Sequence, residues 1–399
     1  MINKSIFGKI ALVVVGALII PTFAVAQIKM GIILGFTGPI ESLTPDMGKS
    51  AELAFKEVSD SGQLLGGQKV SVVRGDSTCI DAAAASAAAE RLITSDRVAG
   101  IMGADCSGVT TAIANNVAVP NGVTMISPSA TSPALSTIAD NGYFFRTAPS
   151  DARQGQILAE ITIERGINNV AVTFINNDYG KGLSDSFINA YKGLGGKVSA
   201  VVPHEADKAD FSAEVATLDA SGADVLAVFG YVDQGGNHII QGSLDAGSFD
   251  KFILADGMYG ESLLKNMEGD LTGTFGTVPG TDSKGSETFK GMAQSAGITV
   301  GGPFTGESYD AAALLMLAMQ SAGSTDRAAI ASNVFAVANA PGVKIMPGEL
   351  RKGLIILAKG GAVDYVGASN VELVGGGEAS GSYQEFEVKG KSFRTVRYR

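Results

Sequence analysis

The sequence has no tryptophan, two histidines (His204 and His238) and two cysteines (Cys79 and Cys106) in 399 residues. A Cys/His zinc cluster or an iron–sulfur site needs four soft ligands, so that chemistry is excluded, while a carboxylate-bound metal stays open. Basic residues are also short, 30 against 40 acidic, for a net charge of -10. Such a chain offers no positive field to displace counterions from a phosphate backbone, which removes nucleic acid as a partner. What is present is a globular composition, 45% apolar and 18% charged. The length exceeds one typical domain, and two lobes are expected.

The first 26 residues read as an export leader. Lys4 and Lys9 make a positive start, Ile10 to Ile20 is apolar, and Ala24-Val25-Ala26 is a small-x-small cleavage pattern. The apolar stretch is far shorter than the roughly 20 residues that span a bilayer. Cleavage after Ala26 would remove two lysines and leave 28 basic against 40 acidic residues, a net charge of -12. The residue directly after the cleavage point is Gln27 and not a cysteine, which disfavours a lipid anchor, and the product is expected in the periplasm. In that oxidising compartment Cys79 and Cys106 are read as a disulfide, worth roughly 3 to 4 kcal/mol on a chain-entropy estimate.

Beyond the leader, strand and helix patterns alternate. Ile28 to Gly35, Val70 to Arg74, Val98 to Met102 and Val123 to Ser127 read as strands. Gly48 to Asp60, Ala82 to Thr94 and Thr110 to Val119 read as the helices between them. After Pro149 a second series runs through strands Asn169 to Ile175, Val198 to Val202, Ala223 to Phe229 and Phe252 to Leu254. Its helices are expected at Gln154 to Arg165, Gly182 to Gly193, Phe211 to Ser221 and Gly236 to Ala246. This is an α/β chain with doubly wound parallel sheets, whose ligands sit beyond the carboxyl ends of the strands. The loops there begin at Gly103, Ser127, Asn176, Gly230 and Ala255, and they carry serine and threonine hydroxyls, tyrosines and the carboxylate Asp256. Hydroxyls and amides suit a ligand carboxylate, and an acid beside an aromatic face suits an ammonium. Each such Ser, Thr or Asn taken singly is equally a helix cap. Their recurrence at strand ends favours a site.

Gly35-Phe36-Thr37-Gly38-Pro39, Leu64 to Val70, Asp76-Ser77-Thr78-Cys79, Met125 to Leu135, Asn177 to Gly182 and Glu307-Ser308-Tyr309-Asp310-Ala311 resemble the leucine/isoleucine/valine-type periplasmic binding proteins. The resemblance covers nearly all of the mature chain. It implies a type I periplasmic binding fold, two lobes joined by three crossover segments, that traps an amino acid and passes it to ABC importer permease subunits. It implies no cofactor, no metal and a monomer. Carried over residue by residue, Ser107, Ser129 and Thr131, with the intervening Ala130, would hold the ligand carboxylate. Thr131 and Asp256 would take the ammonium, and Tyr179 and Tyr231 would close from the second lobe. Leu43 stands where leucine-binding members place a large aromatic, and Asp256 where the family often has glutamate. The tail, with Asp364 to Ser369 and Phe386 to Tyr398, resembles the amide- and urea-binding side of the superfamily as much. A receptor or sensor for an amide, urea or small aromatic acid is therefore the alternative.

The lobes are expected at residues 27–147 plus about 275–353, and 148–274 plus about 354–399. The crossings are expected near Arg146 to Ser150, near Thr272 to Val278, and in a strand at Gly353 to Lys359. An enzyme is not expected. Gly48-Lys49-Ser50 lacks the first glycine of a phosphate loop, Gly31 to Gly38 misses the dinucleotide glycine spacing, and neither histidine neighbours a nucleophile in sequence.

Overall fold

The computed structural model describes Met1 and residues 27–399. The expected leader otherwise lies outside the described residues, as does its cleavage point. From Gln27 onward the alternation is set by local chemistry. Strand β1 (Ile28–Leu34), sequence IKMGIIL, is buried almost throughout, as a strand covered by helices on both faces must be. Helix α1 (Thr44–Ser61) starts with Pro45 in its first turn, ends at Gly62 in the left-handed region (φ 64), and buries Met47, Ala51, Ala54, Phe55 and Val58 along one stripe.

The first sheet continues through β2 (Val70–Asp76), helix α2 (Ala82–Glu90), β3 (Gly100–Gly103), helix α3 (Ser107–Ile113), β4 (Thr124–Ser127) and β5 (Phe144–Arg146). Asp81 caps α2 by accepting from the amides of Ala83 and Ala84. The chain then enters a second sheet through helix α4 (Asp151–Glu164), β6 (Asn169–Ile175), helix α5 (Asp178–Gly193) and β7 (Lys197–His204). Helix α6 (Ser212–Asp219), β8 (Val225–Phe229), helix α7 (Gly236–Ala246), β9 (Phe252–Leu254), helix α8 (Glu261–Asn266) and β10 (Phe275–Pro279) follow.

Helices α9 (Lys284–Ser295), α10 (Thr305–Ala322), α11 (Arg327–Ala338) and α12 (Leu350–Ala358) return to the first lobe. There α10, apolar on nearly every face, is buried against α1, α11 and the first sheet. Strands β11 (Val343–Ile345) and β12 (Val363–Tyr365) form a small parallel pair. Strands β13 (Leu373–Val374) and β14 (Glu378–Ala379) extend the first sheet, and the hairpin β15 (Tyr383–Lys389) and β16 (Ser392–Tyr398) extends the second. Among the described residues the first sheet runs β13-β14-β5-β4-β3-β1-β2 and the second β16-β15-β10-β9-β8-β6-β7. Each is a parallel core with an antiparallel edge added by the chain's last segments.

Three passages between the sheets follow from this order: after Arg146, between Pro279 and Lys284, and between Ala379 and Tyr383. Two boundaries therefore differ from the sequence reading. Residues 275–279 belong to the second sheet, and the segment from 354 through β14 belongs with the first. Gly353 to Lys359 lies in helix α12 and its C-cap and not in a strand. Its short apolar run is ambiguous between the two, and α12 as a whole buries Leu350, Gly353 and Leu354 at helical spacing.

Candidate functional site

The carboxyl ends of β3 and β4 in the first sheet face those of β6, β8 and β9 in the second, and the loops leaving them enclose a cavity. Counting its mouth, it holds ≈ 350 Å³ of empty space. Its apolar lining comes from Ile40, Leu43, Met47 and Phe304, and its polar lining from Asp105, Ser107, Ser129, Tyr179, Tyr231 and Asp256. Among the described lining residues there is no basic side chain.

The first-lobe wall is a set of mutually fixed loops. Buried Asp105 accepts from the Gly35 amide at 2.6 Å and the Ser77 hydroxyl at 2.9 Å, tying the loops after β1, β2 and β3 together. The Cys79–Cys106 disulfide, with Cα atoms 5.2 Å apart, staples the same loops. Ser107 opens α3, and its Oγ accepts from the Ser132 amide at 3.1 Å. Ser129 donates its hydroxyl to the Asp105 carbonyl at 3.1 Å. The Ala130 amide donates to Ser127 Oγ at 2.9 Å. Beneath this loop the fully buried Arg146 guanidinium donates to the carbonyls of Ala130 (3.0 Å) and Ser132 (2.9 Å), and pairs with Glu378 on β14. Arg146 is thus committed to the loop's backbone, away from the cavity.

From the second lobe, Asn177 caps α5 by accepting from the Gly180 amide, and this sets Tyr179 facing inward at the helix start. Tyr179 and Tyr231 stack with centroids 5.3 Å apart. The Tyr179 hydroxyl donates to Asp256 Oδ1 at 3.2 Å and accepts from the Gly257 amide at 3.1 Å. Burial pushes the Asp256 carboxyl up to about 6. Asp151, in the first turn of α4, is completely buried with neither oxygen in a well-formed hydrogen bond, the Thr131 hydroxyl and the Arg146 charge being its nearest support. Burial first, and then the charge of Asp256, hold it well above the usual carboxylate range. Thr131 Oγ1 and Gln154 Oε1 are likewise buried without partners. Lone buried polar groups of this kind carry a desolvation cost unless something pairs them.

The structure gathers Leu43, Ser107, Ser129, Tyr179, Tyr231 and Asp256 around one space. Ala130 and Thr131 are buried and do not line it, and the Thr131 carbonyl accepts from the Asp151 amide at 2.8 Å. Sequence reasoning missed Asp105, Asp151, Phe304, Ile40 and Met47. Asp151 resembles any acid that favours a helix N-terminus. Asp105 was in view within the Gly103 to Ser107 loop. Phe304 gives no local signal: it sits in the left-handed region (φ 57) just before α10 and reaches the cleft from far along the chain.

The two lobes are in contact across the cleft. The Asp233 amide donates to the Pro39 carbonyl at 3.0 Å, and the Ser42 amide donates to Asp233 Oδ2 at 2.9 Å. Thr111 donates to Asp178 at 3.2 Å. The molecule is closed.

Residues 27–349 match the family model described as periplasmic binding protein. A Leu/Ile/Val-binding protein homolog 1 from Brucella abortus (strain 2308) is 30% identical over 331 residues, 81% of this chain and 86% of its own. Among solved structures, a leucine binding protein from Thermotoga maritima aligns with TM-score 0.79 at 24% identity, covering 93% of this chain and 98% of its own. A solute binding protein from R. palustris in complex with 4-hydroxybenzoate aligns with TM-score 0.74 at 20% identity, covering 94% and 97%.

Proposed function

Since this chain belongs to the periplasmic binding protein family, whose members act in ABC transport as substrate-binding proteins and not as enzymes, we propose that its ligand is an α-amino acid with an aliphatic side chain. The observation that carries this reading is the buried carboxylate of Asp256 on the wall of a cavity whose described lining has no base. A desolvated carboxylate is stabilised by an ammonium, and an ammonium ligand would hold Asp256 in its charged form. At the other end, Ser107 Oγ already accepts from the Ser132 amide and keeps its proton free for a ligand carboxylate. The Ser129 hydroxyl proton is engaged with Asp105, so Ser129 would serve through its backbone. Ile40, Leu43, Met47 and Phe304 leave only apolar contacts for the side chain. A benzoate-like acid would bring a second negative charge to the Asp256 carboxylate on the cavity wall, with no cation in the described lining to offset it, which argues against the aromatic-acid reading.

The mechanism we infer is closure by selection. Only the closed form brings Ser107 of the first lobe and Tyr179, Tyr231 and Asp256 of the second to one ligand, so the ligand favours that form by its differential contacts. The closed receptor then delivers the amino acid to permease subunits in the membrane, with the chain working in the periplasm after removal of residues 1–26. A thermal-shift screen with the twenty amino acids, urea, short amides and hydroxybenzoates tests this. We expect stabilisation by aliphatic amino acids and none by benzoates. Stabilisation by benzoates or amides with silence from amino acids overturns it.

A further inference from the structure

A second inter-lobe space lies on the other side of Phe304, which lines both it and the ligand cavity. Its first-lobe wall is α9 with Phe289, the segment leading into α10 with Phe304, and the first turn of α10 with Glu307. Its second-lobe wall carries Tyr259 and Tyr398. Glu307 is 6% exposed. Its side chain receives no hydrogen bond from any other described residue and forms no ion pair, although its backbone carbonyl accepts from Thr147 at 2.8 Å. Lys290, the one basic residue in this lining among the described residues, is not paired with it. The Glu307 carboxylate is met by its own amide in the first turn of α10 and by no cation among the described residues, and an acid this buried and set among aromatic rings has the surroundings of a cation receptor: a carboxylate for the charge, and ring faces for the charge and its apolar body.

We propose that this groove is a second binding site, separate from the amino-acid cleft, and that it takes a small primary amine carrying an aromatic ring, with the ammonium on Glu307 and the ring between Phe289 and Tyr259. Burial, which raises the Glu307 carboxyl to about 8, has the same origin as its need for a partner. Because Phe289 and Tyr259 belong to different lobes, a molecule seated between them touches both, as a cleft ligand does.

Calorimetric titration of the full chain with phenethylamine is the test, with 2-phenylethanol and butylamine as probes lacking the charge and the ring. We expect saturable phenethylamine binding, weaker binding of both partial probes, and a loss of about tenfold or more in Glu307→Gln, as suits removal of a charge-assisted contact. Asp256→Asn, altered only in the cleft, should bind phenethylamine as the parent does. Absence of saturable binding, equal binding of 2-phenylethanol, insensitivity to Glu307→Gln, or loss in Asp256→Asn each overturns the proposal. The probe comparison uses the unaltered protein, so it stands even if Glu307→Gln folds poorly. The pair of variants separates the groove from the cleft, whose Asp256 would itself accept an ammonium: groove binding is lost in Glu307→Gln and kept in Asp256→Asn.

Discussion

Asp256→Asn should make the ligand-free protein more stable while removing its ligand affinity. The carboxyl is raised from 3.8 to about 6, chiefly by burial. That difference between folded and unfolded states corresponds to about 3 kcal/mol between the protonation states. The sign follows from linkage. A carboxyl whose folded value lies above its unfolded value binds more protons when folded, so its contribution to stability is greatest at low pH. That contribution is lost as pH rises from about 4 to about 6, and the full penalty persists above. At pH 7 the ligand-free parent therefore carries up to about 3 kcal/mol of destabilisation from this group, and the isosteric amide relieves it. The assay is guanidinium unfolding at pH 4, 5, 6 and 7.5 with and without the best amino acid from the screen. The parent should lose stability across that window relative to Asp256→Asn, the two curves converging at pH 4, and added ligand should restore the parent alone. A variant less stable than the parent at pH 7.5, or one that still responds to the ligand, refutes the reasoning. The first outcome would mean that the carboxylate is well solvated in the folded state, and the second that Asp256 does not hold the ligand.

Asp233→Ala removes an acceptor that joins the lobes without lining the cavity, since Asp233 accepts from the Ser42 amide and from the Ser262 hydroxyl, each at 2.9 Å. Losing about 1 kcal/mol from the closed form alone should weaken ligand affinity about fivefold and shift small-angle scattering of the ligand-bound protein toward a larger radius. Unchanged affinity would show that this contact does not bias closure. Replacing Cys79 and Cys106 by alanine, which opens a loop of sequence separation 27, should cost roughly 3 kcal/mol in denaturant unfolding. A loss below 1 kcal/mol would mean that the Asp105 network alone holds these loops. Arg146→Ala should lower both stability and affinity, because Glu378 and the carbonyls of Ala130 and Ser132 lose their common donor. Affinity retained at the parent level would show that the Ser129–Thr131 loop keeps its shape without it.

Apolar segments bounded by clear turn or polar residues were legible in the sequence. Asn169 to Ile175, Phe252 to Leu254 and Gly236 to Ala246 have the same bounds in the structure. Gly353 to Lys359 was not, because seven residues of mixed apolar character fit either period and only packing on α10 and α1 decides. Helix starts were read late at α4 and α5. In α5 a side-chain cap from Asn177 lets the helix begin before its apolar stripe does. In the site, Ser107, Tyr179 and Asp256 stood out because they follow strands. Asp151 and Phe304 depend on how distant segments meet. An acid in the first turn of a helix and a phenylalanine before one are ordinary until the fold buries the first without a well-formed hydrogen bond and turns the second into the cleft.

The three passages between the sheets also bear on how the molecule is made. Neither lobe is a continuous stretch of sequence: the first sheet is finished by β13 and β14, and the second by β15 and β16, after the chain has left each one behind. The edge of the first sheet thus waits for residues near 379, more than two hundred positions after β5. Long-range pairings of this kind slow folding and keep apolar edges open while they are awaited. A fragment ending near residue 147 is therefore not an isolated lobe, since it lacks α10, which covers its sheet. Both lobes would consolidate only once the whole length of chain is present.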